Sequence, residues 1–250
     1  ILGLHPYKSA REVYLEKKGL KGEPEENEAM ATGTHLEAAI AEWVEKTTGK
    51  KCVETGFVAR DSIFGATPDR LIGDDELLEC KYAGMNAGRN FGEGDDDVPA
   101  HYLCQVQWQL FVTGRKVGYI QVLGPWGFRV YTIIADQEMH RSMEFHARKF
   151  WGEYIEKDMP PPLSGAYADT KALQEQFPAD SGAVITASYE VEEHIGELAG
   201  KLQEESVLKT EIQRLKNLIM EFMGEASQMN SDLGKFTWKR TKDKIETDWM

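Results

Sequence analysis

Two hydrophobic periods follow each other along the first 160 residues. Helical spacing of apolar positions predicts a long helix over 27–48 that Gly49 ends, and further helices over 9–18, 99–112 and 136–157. Other stretches are rich in β-branched and aromatic residues and predict strands over 51–59, 63–72, 76–82, 117–123 and 128–134. This alternation predicts an α/β fold with a mixed central β-sheet flanked by helices.

The pattern changes after Pro160, Pro161 and Pro162, which stop any helix. We therefore predict a first domain over 1–163 and a helical C-terminal extension over 164–250. In the extension, apolar side chains follow alternating steps of three and four at 195, 198, 202, 208, 212, 215, 219 and 222. This spacing predicts a coiled coil or helix pair. The apolar residues do not form one unbroken stripe, because the three-four spacing is interrupted between 202 and 208. The stretch KFTWKRTKDK (235–244) predicts a strand or hairpin.

Composition fits a soluble globular protein, since 41% of the 250 residues are hydrophobic. No apolar run approaches the roughly 18 residues of a membrane helix, so no membrane partner is expected. The three cysteines lack metal-ligand spacing, and as free thiols they favour a reducing, cytoplasmic setting. The chain opens on Ile-Leu-Gly rather than Met, so we expect residues upstream.

Charge excludes a simple electrostatic binder of nucleic acid. The net charge is −13, and both the first domain and the extension are acidic. Contact with DNA would therefore depend on a local basic patch, on metal ions or on geometry. The basic residues that cluster in sequence are Lys239, Arg240, Lys242 and Lys244.

The stretch GATPDRLIGDDELLECKY (65–82) carries the candidate chemistry. Glu79 and Lys81 share one face of a strand, and the Gly73-Asp74-Asp75 turn folds Asp69 back beside them. Adjacent carboxylates repel each other unless a cation lies between them, and Mg²⁺ prefers such oxygen ligands. A lysine pushed toward its neutral form by that ion could orient or deprotonate a metal-bound water. Such a set is suited to attack on a phosphodiester, although an ordinary surface ion pair is the alternative.

Four motifs together resemble the lambda-exonuclease/YqaJ family of viral recombinases, in the PD-(D/E)xK nuclease superfamily. They are GTHLE (33–37), ATPD (66–69), LLECK (77–81) and HYLCQVQWQLFVTG (101–114), and the resemblance covers roughly residues 1–160. It implies a restriction-endonuclease-like core. It also implies Mg²⁺ as the cofactor, with Mn²⁺ able to substitute.

The resemblance assigns roles position by position. It implies a metal-binding pair in Asp69 and Glu79, with the Cys80 backbone carbonyl as a further ligand and Glu37 acting as the helical acid, in part through water. It implies that Lys81 is the catalytic lysine and that Gln105 lies near the scissile phosphate. The expected DNA contacts are Thr67, which matches a phosphate-holding position, and, on weaker grounds, Lys8, Arg11, Arg89 and Gln109.

The activity implied by the resemblance is Mg²⁺-dependent 5′→3′ digestion of one strand of duplex DNA from an end. The product would be a 3′ overhang for a single-strand annealing protein in phage recombination, in the cytoplasm of a bacterial host. Family members form ring-shaped trimers, so we expect a cyclic homo-oligomer, with a trimer favoured. The family's arginine and Ser/Asp motif would lie upstream of Ile-Leu-Gly, so the 5′-phosphate pocket cannot be assigned.

Two alternatives remain open from the sequence. The first is an endonuclease of restriction or junction-resolving type, which would cut covalently closed circular DNA. The second is a non-catalytic DNA- or protein-binding module on the same fold. The complete set Glu37, Asp69, Glu79 and Lys81 argues against the second alternative.

Overall fold

The computed structural model describes residues 2–3, 8–22, 27–85, 87–94 and 97–238. It divides into two units, Ile1–Ala179 and Asp180–Met250. The helices of the first unit are α1 (Ala10–Lys17), α2 (Glu28–Thr48), α3 (Ala100–Thr113), α4 (Gln137–Phe150) and α5 (Tyr167–Gln176), with a π-helical turn after α4 (Trp151–Ile155) and a 3₁₀ turn (Ala87–Asn90). Its strands are β1 (Cys52–Glu54), β2 (Val58–Ala59), β3 (Gly65–Ala66), β4 (Arg70–Ile72), β5 (Glu76–Tyr82), β6 (Val117–Gly124) and β7 (Gly127–Ile134).

Five of these strands form a mixed sheet in the order β1-β4-β5-β6-β7. The central pair β5–β6 is parallel, and the other neighbours are antiparallel. A parallel pair needs a crossover connection, which α3 supplies here. The predicted mixed sheet flanked by helices is therefore confirmed, as are the predicted helices that precede Pro160.

Two of the predicted strands are wrong in length. The predicted strands 51–59 and 63–72 each divide into two short pieces, and the inner pieces β2 and β3 pair separately as a two-stranded sheet. Pro68 lies in the second gap and has no N–H to donate to a ladder. The break leaves Asp69 at the start of β4, where the main sheet begins again.

Helices cover both faces of the strand β5. On one face α2 packs Ile40 and Val44 against Leu78 of β5. On the other face α3 packs Val106 and Leu110 against a cluster that includes Leu77. A Cβ on Gly118 of β6 would lie 2.3 Å from Val106, so glycine permits this close approach of α3. Because strand side chains alternate, Glu79 and Lys81 share the α3 side of β5 with Leu77.

The first unit continues past the boundary predicted at residue 163, because α5 packs on α1. Asp169 of α5 is 2% exposed and accepts hydrogen bonds from the Ser9 hydroxyl and from the backbone N–H and hydroxyl of Ser164, the last two at 2.6 and 2.7 Å. Burial opposes the charge of Asp169, but these hydrogen bonds hold its pKa below the ordinary value. Since Ser9 also caps α1, this carboxylate connects the two ends of the unit.

The second unit consists of a long helix and a hairpin. Helix α6 runs without a break over Tyr189–Met223, and strands β8 (Gln228–Ser231) and β9 (Gly234–Thr237) pair antiparallel. The phase slip after residue 202 therefore does not interrupt the helix. The hairpin covers the start of the predicted KFTWKRTKDK strand, whereas Lys239, Arg240, Lys242 and Lys244 lie outside the described residues.

Within the described ranges, no helix has both the length and the apolar character required to cross a membrane.

We predict that a chain ending at Ala179 folds and that a chain ending at Pro162 is much less stable. The shorter chain lacks Asp169 and the α5 surface that covers α1, and each lost hydrogen bond to the buried carboxylate costs about 1.5–3 kcal/mol. Urea unfolding of both chains, with Asp169→Asn in the longer one as an intermediate case, measures the difference. Equal unfolding free energies for the two truncations would contradict the role given to Asp169.

Candidate active site

Glu79 lies at the centre of the site, 2% exposed in the middle of β5. Its Oε1 accepts hydrogen bonds from Lys81 Nζ and Gln105 Nε2, both at 2.6 Å, and its Oε2 accepts from Gln109 Nε2 at 2.7 Å. The two glutamines are one turn apart on α3, so a single helix face supplies both amides. These three donors satisfy the acceptor oxygens of a carboxylate that is closed off from solvent.

Asp69 lies beside Glu79, because Arg70 of β4 pairs with Leu78 of β5. Its Oδ2 accepts a hydrogen bond from the backbone N–H of Cys80 at 2.7 Å. Burial, followed by the negative charge of Glu79, raises the pKa of Asp69 to about 7. Two full negative charges are therefore costly here at neutral pH, and a cation between the carboxylates would remove that cost.

The contacts of Lys81 favour its charged form. Burial opposes its charge, but the charge and hydrogen bond of Glu79 outweigh burial and raise its pKa above the ordinary value. Its Nζ also lies 5.1 Å from the centre of the Tyr102 ring. With this raised pKa Lys81 is suited to donate hydrogen bonds and supply positive charge, and its action as a neutral base next to a metal stays a prediction.

Arg70 holds the helical acid Glu37 at the edge of the site. Its Nη1 lies 2.5 Å from Glu37 Oε1 and 2.6 Å from the backbone oxygen of Asp69, and Arg70 is 9% exposed. Arg70 was not predicted from the sequence as a site residue, although it directly follows the Pro68-Asp69 pair. Glu37 thus has a cationic partner of its own, and its action on a metal through water stays a prediction.

The residues fit a hard divalent cation in ligand type and charge. Asp69 and Glu79 offer carboxylate oxygens, and burial and the charge of Glu79 keep the pKa of Asp69 raised even with Lys81 nearby. In the part of the chain that the structure describes, no group of three or more His, Cys, Asp or Glu side chains could hold a metal. Mg²⁺ would therefore need the Cys80 carbonyl and water as additional ligands.

The predicted DNA contacts are scattered. Thr67 is exposed next to Pro68, whereas Gln109 is 3% exposed and directed at Glu79 rather than at solvent. Lys8 forms an ion pair with Glu16 at 2.7 Å and lines a cleft of about 590 Å³ that Gln105 also borders. Arg11 donates to the Pro161 carbonyl at 3.3 Å, and the side chain of Arg89 lies outside what the structure describes.

Comparison with known proteins supports the resemblance stated from the sequence. Residues 1–116 match the family model of the YqaJ-like viral recombinase domain, so the predicted resemblance is confirmed over this stretch. No curated protein matches the chain.

Solved exonuclease structures are similar to this chain over part of its length, and the first of those below has the same fold there. An alkaline exonuclease (LHK-Exo) from Laribacter hongkongensis is 24% identical with a TM-score of 0.50, over 66% of this chain and 84% of that protein. A phage-related exonuclease from Haemophilus somnus 129PT is 14% identical with a TM-score of 0.49, over 59% of this chain and 81% of that protein.

We predict that Gln109 and Glu79 are energetically coupled, whereas Gln107 and Glu79 are not. Both glutamines are 3% exposed on α3, but Gln107 donates to the Ile134 carbonyl at 2.7 Å and accepts from Asp136 N at 3.0 Å. Double-mutant cycles of Glu79→Gln with Gln109→Met and with Gln107→Met, measured by urea unfolding without metal, separate the two cases. We expect a coupling of about 1–3 kcal/mol for Gln109 and near additivity for Gln107. Additivity in both cycles would show that Gln109 only packs.

Proposed function

We propose that this YqaJ-like chain is a metal-dependent deoxyribonuclease that digests one strand of duplex DNA from an end, in the 5′→3′ direction. The observation that carries the proposal is the convergence of Asp69, Glu79 and Lys81 on one face of β4 and β5, within the residues that match the family. The similar fold of LHK-Exo also supports the proposal, because that protein is an alkaline exonuclease.

Asp69, Glu79 and the Cys80 carbonyl would hold the cation, with Glu37 outside them at the Arg70 ion pair. Bound Mg²⁺, or Mn²⁺ in its place, supplies positive charge to a phosphoryl oxygen and lowers the pKa of a bound water. Buried amide donors on α3 fix the Glu79 carboxylate, so its oxygens are positioned before any substrate arrives.

Lys81 is the group placed to act on the reacting phosphate. The Lys81 side chain is 22% exposed, and its Nζ lies 2.6 Å from Glu79 Oε1. The ion pair therefore fixes the position of an amino group that solvent can still reach. There it orients the attacking water and stabilises negative charge that develops on the phosphate oxygens. Gln105, which shares Glu79 Oε1 with Lys81, adds an amide on the same side.

Net charge constrains how such an enzyme could stay on DNA. A chain of charge −13 is repelled by a polyanion at long range. Electrostatic attraction alone would therefore not keep the enzyme on DNA between successive cleavage steps. A closed ring would retain the duplex by topology and needs positive charge only along its lining. We therefore propose a cyclic homo-oligomer, with a trimer favoured. Its 3′-overhang product would pass to a single-strand annealing protein in phage-type recombination, in the cytoplasm of a bacterial host.

The test is digestion of linear duplex DNA labelled at one 5′ or one 3′ end, with Mg²⁺ or with a chelator. We expect early release of the 5′ label as mononucleotide, late release of the 3′ label, no reaction with chelator and no cleavage of covalently closed circles. Cleavage of closed circles would instead favour an endonuclease.

Lys81→Ala should slow digestion by about 10²–10⁴-fold. Lys50→Ala is the matched control, because Lys50 also forms an ion pair on the sheet, with Glu76 at 2.6 Å, but away from Asp69 and Glu79. Retention of more than about a tenth of the rate in Lys81→Ala would contradict the role of Lys81.

A further inference from the structure

Helix α6 exposes an apolar stripe along its C-terminal half. Within the second unit the side chains of Leu208, Ile212, Leu215 and Phe222 remain 59%, 42%, 46% and 82% exposed, and Ile219 is only partly covered. A regular apolar face of this length is uncommon on a solvated helix, because most helical stability in proteins comes from burying such a face. These five residues, here called the α6 seam, therefore need a partner.

The α6 seam fits a heptad repeat. Its steps of four, three, four and three place Ile212 and Ile219 at position a and the other members at position d. β-branched residues at a with leucine at d favour two parallel strands. Upstream of the seam the register is not apolar throughout: Leu198 lies two heptads before Ile212, but Glu205 occupies the a position between them and Leu202 lies ten positions before Ile212, which is one heptad plus three.

The charges beside the seam identify a second copy of the same helix as the partner. In this register Glu204 and Glu211 occupy position g, and Lys209 and Lys216 occupy position e. In a parallel, in-register pair each g residue faces the e residue five positions later on the other helix, which gives Glu204–Lys209 and Glu211–Lys216 contacts on both sides. An antiparallel pair would place glutamate against glutamate and lysine against lysine.

We propose that α6 binds α6 of a second copy of this chain as a parallel two-stranded coiled coil whose apolar core spans residues 208–222. Within one chain Lys209 pairs with Glu205 at 2.8 Å and Glu211 with Arg214 at 2.7 Å. Both are exposed pairs of low net stability, so exchanging them for contacts between helices costs little. The inference uses only the second unit and does not depend on the proposed nuclease activity.

Sedimentation velocity of the full chain tests the seam. Leu215→Glu puts a charge into the seam, whereas Val207→Glu changes a residue that is 64% exposed and lies off the seam, at position c. We expect Leu215→Glu to halve the wild-type mass, from a dimer to a monomer or, where the proposed ring also forms, from two paired rings to one ring, and Val207→Glu to leave the mass unchanged. The proposal would be overturned if the wild type were a monomer or if Leu215→Glu had the wild-type mass. An equal loss of mass in Leu215→Glu and Val207→Glu would also overturn it.

Charge exchange tests the parallel register. Glu204→Lys with Glu211→Lys gives a helix with lysine at all four flanking positions, and Lys209→Glu with Lys216→Glu gives one with glutamate at all four. Each double variant alone should have half the wild-type mass, and mixing the two should restore it. Because all four residues are exposed, folding of the single chain should be unaffected, which circular dichroism checks. Wild-type mass for either double variant alone, or no recovery on mixing, would overturn the parallel arrangement.

Discussion

The arrangement of the first unit depends on one electrostatic constraint, the placement of two carboxylates side by side, Glu79 on β5 and Asp69 directly before β4. Asp69 and Glu79 repel each other at this distance, and the pKa of Asp69 rises to about 7 as a result of burial and of that repulsion. Hydrogen bonds to the two carboxylates reduce the free-energy cost of this repulsion. They come from Lys81, from two amides of α3 and from the Cys80 N–H. They do not remove it, since the pKa of Asp69 stays raised, and we propose that a divalent cation between the carboxylates would.

Backbone features of the surrounding strands and helices create this pair. Pro68 interrupts the strand so that β4 begins after Asp69, and the turn at Gly73, with φ of 51°, returns the chain to β5. The parallel β5–β6 pairing requires the α3 crossover, and Gly118 lets that helix approach the sheet. The glutamine amides reach Glu79 only because all of these conditions hold together.

Local pattern was sufficient to predict most elements and the Asp69, Glu79 and Lys81 set, because spacing of two and a tight turn determine which side chains meet. Local pattern was insufficient where contacts between residues far apart in the sequence determine the direction or the partner of a side chain. Gln105 and Gln109 share one helix face, and the sequence alone could not show that Gln109 is directed inward. Arg70 with Glu37, and Ser9 with Asp169, join residues 33 and 160 positions apart, which no local period reports.

The most direct test of the central claim is calorimetric titration of Mg²⁺ into the wild type, Asp69→Asn and Glu79→Gln, with the turn variant Asp75→Asn as a control. Melting temperatures are measured in parallel with chelator. If the carboxylate pair is the cation site, both site variants should bind Mg²⁺ at least about tenfold more weakly while Asp75→Asn binds normally. Asp69→Asn should melt higher than wild type in chelator, because the repulsion is gone. Unchanged Mg²⁺ affinity in both site variants would contradict the account.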